Sequence, residues 1–380
     1  MNIAIIVLYL IAMVAIGLIA ARRARSAEDY RVAGRRLGPV FYTGTMAAVV
    51  LGGASTVGGI ALGHTYGLSG MWLVVAIAVG VLALSLFFAG RIASLKIYTV
   101  SEMLALRFGA GIASRVSSIV MLAYTVMLAV TSTSAYASIF TVLFPMGRTS
   151  AILLGSLVVI AYSCLGGMWS ITLTDMMQFV FMTIGIFVIL LPLSLNAAGG
   201  WSGLGERLDA TYFSPDGMGF QSIITMFVIY GFGMLIGQDI WQRVLTARSP
   251  QTARWGGVAS AVYIGIFGVA GAVIGMAAAV VMPELEVPDG AFARMAVDHV
   301  PAGLGGIVLS AGAIAVVIGM IAFGVMANAP IYIGLAVSAV VFVAVSLATR
   351  PTDPEVLRVW DERLAARKST APAEERASAA

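Results

Sequence analysis

The chain has 380 residues, 60% of them apolar and only 11% charged, with a mean hydropathy of +0.99. A water-soluble fold needs far more charge to cover its outside, so the solvent that suits this chain is lipid. The net charge of +4 is small and the basic residues fall between apolar runs, which points to membrane topology rather than nucleic-acid binding. Runs of about 20 apolar residues without two-residue alternation predict an all-α polytopic membrane protein and not a barrel. Each run must satisfy its own backbone hydrogen bonds, because lipid offers none.

Ten apolar runs are predicted, near residues 3–21, 39–63, 69–90, 114–144, 149–166, 170–194, 219–238, 255–282, 301–323 and 328–349. The first has its arginines after it and no basic residue before it, so it reads as a retained spanning helix, not a signal peptide. Arg22, Arg23, Arg25, Arg31, Arg35 and Arg36 follow it, which places that loop in the cytoplasm and the N-terminus outside, in a multi-pass plasma-membrane protein. Arg91, Lys96, Arg107 and Arg115, then Arg243, Arg248 and Arg254, keep the same alternation, and the loops at 195–218 and 282–300 fall outside. Residues 98–109 are too short and too charged to span, and predict an amphipathic helix at the inner surface. Cys164 is the single cysteine and is expected as a small core side chain. Ten crossings put the C-terminus outside, yet the tail at 351–380, after Arg350, carries Arg358, Arg363, Arg367 and Lys368, as an inside segment would. Beyond Ser369 its composition is that of a disordered segment.

Carriers place their sites at broken helices near mid-membrane. The second run holds Leu51-Gly52-Gly53-Ala54-Ser55-Thr56-Val57-Gly58-Gly59, where an unwound stretch costs little, although small residues also serve close helix packing. Gly52, Gly53 and Ser55 are therefore candidates for a solute path. Asp175, near the start of the sixth run, is either a cation or proton site or an inner-side structural anchor. Gln238, with Asp239, ends the seventh run and either lines an inner vestibule or merely closes a helix. Neither a nucleophile–base pair, a phosphate loop nor a metal motif is visible, so the chain does not read as an enzyme and no cofactor is called for.

Several stretches together resemble the sodium/solute symporter family. They are Asp29-Tyr30-Arg31-Val32-Ala33-Gly34-Arg35, Tyr66-Gly67-Leu68, Glu102 to Phe108, Gly166-Gly167 through Thr174-Asp175-Met176-Met177-Gln178, and Gly237-Gln238-Asp239-Ile240-Trp241-Gln242-Arg243 with its continuation to Ser249. Their order and spacing cover roughly residues 1–315. The resemblance implies the leucine-transporter-type fold: an extra first helix at 3–21, a first five-helix repeat at 39–194 and a second repeat at 219–349, all within a transmembrane domain spanning 1–350. It also implies a co-transported sodium ion held by backbone carbonyls of Ala48 and Leu51, with a further carbonyl from Ala315. Ile318 and Gly319 then stand where the family supplies two hydroxyls, and an isoleucine offers a hard cation no oxygen. Nothing later matches, which implies a second repeat truncated after about residue 315 and would account for the tail's charge. Two functions follow: secondary import of a small polar solute driven by sodium or protons, or a transport-incompetent or partner-dependent remnant of such a carrier. The solute is not legible, and neither is a homo-oligomer.

Overall fold

The computed structural model describes residues 2–52, 54–109, 111, 114–123, 125–126, 147–285, 288–301, 304, 354–355 and 357–362. Among them the regular structure is helical, apart from one parallel bridge between Leu37 and Ala247. The first run forms α1 (Asn2–Ala21), and the arginine-rich loop holds the short α2 (Ala27–Val32). The second run becomes α3 (Pro39–Val50) and α4 (Gly59–Tyr66), and the third becomes α5 (Trp72–Ala83) and α6 (Gly90–Leu95). Residues 98–109 form α7 (Val100–Phe108), a surface helix with only Val100 buried. Its start is a sequence-local cap: Glu102 N–H donates to Thr99 Oγ1, and Tyr98 N–H donates to Glu102 Oε2.

Of the fourth run, α8 (Ser114–Ala123) is described. The fifth and sixth runs join as α9 (Arg148–Met182), bent where Gly167 takes φ +53°, and continue through a π-helical stretch into α10 (Leu191–Ala197). After α11 (Gly200–Arg207), the seventh run gives α12 (Phe220–Met226) and α13 (Phe232–Ile236), which turn by 50° at Gly237 into α14 (Gln238–Val244). The eighth run is α15 (Pro250–Val281), and α16 (Ala291–Asp298) lies in the following loop. By length and composition, three helical stretches among the described residues can cross a membrane, or four if the bent pair counts as one. The ninth and tenth runs, Ala315, Ile318, Gly319 and most of the basic tail lie outside the described residues. Of the tail, Arg358 pairs with Glu355 and Glu362, and Trp360 packs on the core. Cys164 is exposed on its helix and is not the core side chain expected from its apolar run.

The core is organised around α15, which packs against α3, α4 and α5. Its glycines explain how. A Cβ built on Gly63 of α4 would sit 2.5 Å from the Ala272 carbonyl oxygen, and one on Gly275 would strike the backbone of Ile60 and His64. Gly256, Gly257 and Gly268 instead make room for the side chains of Tyr42, Ser85 and Val74. Small residues thus let backbones touch, which is how helices gain packing energy where lipid removes the hydrophobic drive. An aromatic seam closes the other side: Phe179 packs tilted and Phe187 edge-on against Tyr263, whose hydroxyl meets Thr183 Oγ1 at 2.7 Å.

The two ends of the bundle are built differently. At the arginine-rich end, Arg35 donates to the carbonyls of Ile97 (2.8 Å) and Leu245 (3.3 Å), pairs with Glu28 and stacks on Tyr98. Leu37 exchanges backbone hydrogen bonds with Thr246 and Arg248. Three loops are thereby sewn into one plate. At the opposite end, the segment around Tyr212 lies over the turn at Gly67, and Tyr212 OH donates to His64 O.

Gly63→Val, which drives a branched side chain into the Ala272 backbone, is expected to destabilise the bundle by about 1–3 kcal/mol. Gly265→Ala, whose Cβ meets only Ala78 Cβ at 3.9 Å, is expected to be neutral or slightly stabilising. Thermal unfolding of both variants in one detergent checks the contrast.

Candidate functional site

The second apolar run does not continue as one rod. α3 ends at Val50 after 12 residues, and Leu51 leaves helical geometry with ψ +48°. Twelve residues rise about 18 Å, slightly more than half of a hydrocarbon core of ~30 Å, so the interruption falls near mid-span. The local cause is the glycine-dense sequence, which tolerates a non-helical backbone without steric cost. Helix resumes through the π turn at Ala54–Gly58. Across the gap Leu51 N–H donates to Ala47 O (2.9 Å), Thr56 N–H to Gly52 O (3.1 Å) and Ser55 Oγ to Val50 O (2.7 Å). The Ser55 hydroxyl therefore serves the break itself, taking the place of a backbone donor.

Ala48, Leu51, Gly52 and Ser55 all lie at this break and are buried. Gly53 lies outside the described residues. One position further, Thr56 is 1% exposed and its hydroxyl has no hydrogen-bond partner among the described residues. A buried donor left unpaired costs about 1–3 kcal/mol, a state Thr56 shares with Tyr42, Ser170, Thr172 and Ser194 among the described residues. Composition alone gave no reason to separate Thr56 from its neighbours. The π turn packs against α15 and α16, whose Phe292 and Met295 are buried.

Asp175 is not at the break. Its carboxylate takes a hydrogen bond from Thr45 Oγ1 and one from Arg243 Nη2 at 3.1 Å. Thr45 precedes Leu51 by about 9 Å along the helix axis, on the arginine-rich side. Both partners of the ion pair are nearly buried, with side-chain exposures of 10% and 11%. Gly44 beside Thr45 leaves room for Met176, so α9 can come close enough for the contact to form. The triad therefore ties the first half of the broken helix to α9 and α14. Thr45 and Arg243 escape sequence reasoning because they stand 130 and 68 positions from Asp175.

Gln238 is spent on the surface helix. Its Oε1 accepts from Val100 N–H at 3.0 Å, and its Nε2 donates to Tyr98 O at 3.4 Å. Both ends of the amide hold the loop before α7, which sets it apart from the residues gathered at the break. Asp239 lies in the first turn of α14, where the helix dipole favours an acid.

An integral membrane bundle with an interrupted spanning helix is the class that this architecture defines. The family model described as sodium:solute symporter family matches residues 30–338. The chain belongs to the sodium:solute symporter family. The match runs past Ala315, beyond the quoted landmarks. A sodium/proline symporter of Haemophilus influenzae is 30% identical over 201 residues, which is 48% of this chain and 37% of that relative. The chain thus matches little more than a third of that relative's length. The solved, substrate-bound, outward-open structure of a Na+-coupled sialic acid symporter shares the fold, with a TM-score of 0.71 at 18% identity. The match covers 96% of this chain and 79% of that one.

Removing one partner of a buried ion pair strands the other charge, at a cost of about 3–5 kcal/mol. Asp175→Asn and Arg243→Gln are each expected to lower the melting temperature strongly, and the double variant to regain a large part of the loss. A double-mutant cycle on thermal unfolding measures that coupling.

Proposed function

We propose that this protein is a secondary carrier that imports a small polar solute together with sodium, the helix break at Leu51–Gly52 being the observation that carries the reading. Family membership supports it, as do the two sodium-coupled relatives. The carbonyls of Ala48 and Leu51 would face the ion, with Ala315 as the third. Peptide oxygens suit a hard cation. Gly52, Gly53 and Ser55 would border the solute. Asp175 acts as an anchor for the first half-helix, since both of its donors are protein side chains. The arginine-rich end lies in the cytoplasm and the N-terminus outside.

The energetics suffice. One positive charge moving inward gains about 2.3 kcal/mol per 100 mV, and a tenfold sodium gradient adds about 1.4 kcal/mol. Together they sustain a solute ratio of about 500 for a neutral solute moved with one ion. Coupling requires that sodium favour one arrangement of the two half-helices and that solute with sodium permit the other.

Purified protein in liposomes tests the reading with a panel of radiolabelled amino acids, sugars and organic acids. Uptake of at least one class is expected to depend on an inward sodium gradient. Flux that is equal in sodium and choline, or driven by a proton gradient instead, overturns sodium coupling. Absence of flux across the panel, without stabilisation by sodium, favours a non-transporting or partner-dependent chain. Sodium is also expected to raise the melting temperature relative to choline at equal ionic strength. Ser55→Ala, which leaves the Val50 carbonyl unpaired in a buried site, is expected to weaken that shift.

A further inference from the structure

The arginine-rich end carries one cluster that neither the break nor the ion-pair triad uses. Gly166 allows close contact with α1, since a Cβ there would lie 3.0 Å from Gly17 O and 3.1 Å from Ala21 N. Gly167, at φ +53°, lies against Tyr30, and Tyr30 OH donates to Cys164 O. This bend delivers Trp169 to the point where α1 ends and its arginines begin. Two guanidinium groups converge on that indole: Arg23 at 5.7 Å and Arg36 at 5.9 Å from the ring centroid. Both arginines are exposed. Arg36 uses Nη2 to pair with Asp29, while no carboxylate lies within ion-pair distance of Arg23 among the described residues. Residues 22–36 hold six arginines against two acids, Glu28 and Asp29, and Arg35 already takes Glu28.

The depth of the cluster decides what it can meet. α1 is 20 apolar-rich residues long, about 30 Å, and Arg22 and Arg23 follow it at once. The paired guanidinium groups therefore stand at the level of lipid headgroups, held over the face of an indole whose Nε1 is buried in the protein. A soluble anion would have no reason to favour this depth. A phosphodiester on a glycerol backbone reaches it by default, and its oxygens suit planar guanidinium donors. We propose that Arg23 and Arg36, flanking Trp169, form a site for the phosphodiester headgroup of an anionic phospholipid, one that fastens α1 to the bend of α9.

The full chain in detergent, titrated with phosphatidylglycerol or phosphatidylcholine and read by thermal unfolding and by native mass spectrometry, tests the site. Phosphatidylglycerol is expected to be retained and to raise the melting temperature, and phosphatidylcholine is not. Arg23→Gln, which spares the Asp29 pair, is expected to require about fivefold more phosphatidylglycerol for half the effect. Trp169→Phe is expected to weaken retention as well, whereas Arg207→Gln, in the loop predicted on the far side of the bundle, is expected to leave it unchanged. The proposal falls if Arg23→Gln stays within about twofold of the unmodified chain, or if Arg207→Gln matches it. It falls equally if water-soluble glycerophosphoglycerol stabilises the chain as well as the lipid does.

Discussion

A peptide group in hydrocarbon has no water to bond, so every departure from a helix must be repaired from within the protein. Around Leu51 and Gly52 this chain makes such a departure in mid-span, and much of the surrounding structure answers to it. Ser55 turns its hydroxyl back to Val50, a π turn restores the helical path, and α15 and α16 close against the far side. At the break itself, the hydroxyl of Thr56 finds no partner among the described residues. A buried oxygen without a partner is costly, and this one sits beside a spanning backbone that has been opened.

The halves on either side of the break have different neighbours. The first is pinned through Thr45 to Asp175 and Arg243, and through Thr43 and Tyr42 to the start of α15. The second meets Ala272 and Gly275 far along α15, with α16 over it. Charge holds one half and backbone contact holds the other. A hinge whose two leaves are fixed by distinct interactions can be biased by a ligand that touches both.

Much of this was legible in the chain itself. Apolar runs mark where helices lie, because lipid demands length and uniform hydrophobicity. The glycine-dense centre at 51–59 pointed to the interrupted helix, and residues 98–109 to the surface helix. Partners were not legible. Nothing in the spacing pairs Asp175 with Arg243, and nothing tells that Gln238 reaches back to Tyr98 and Val100. Such contacts join positions that only the packed bundle brings together. Cys164 illustrates the same limit from the other side: an apolar run shows that a residue lies in a helix, not which face it occupies.

The glycine column along α15 restricts how the bundle can rearrange. Where two backbones touch with no side chain between them, repulsion rises within tenths of an ångström, and one helix cannot slide past the other without first separating from it. Side chains that interleave can slip by changing rotamer, whereas bare backbones cannot. The second half of the broken helix and α15, which meet backbone to backbone at Gly63 and Gly275, are consequently geared to travel as a single block. Relative motion is left to the seams filled by flexible or aromatic side chains, such as the Phe179–Tyr263–Phe187 contact.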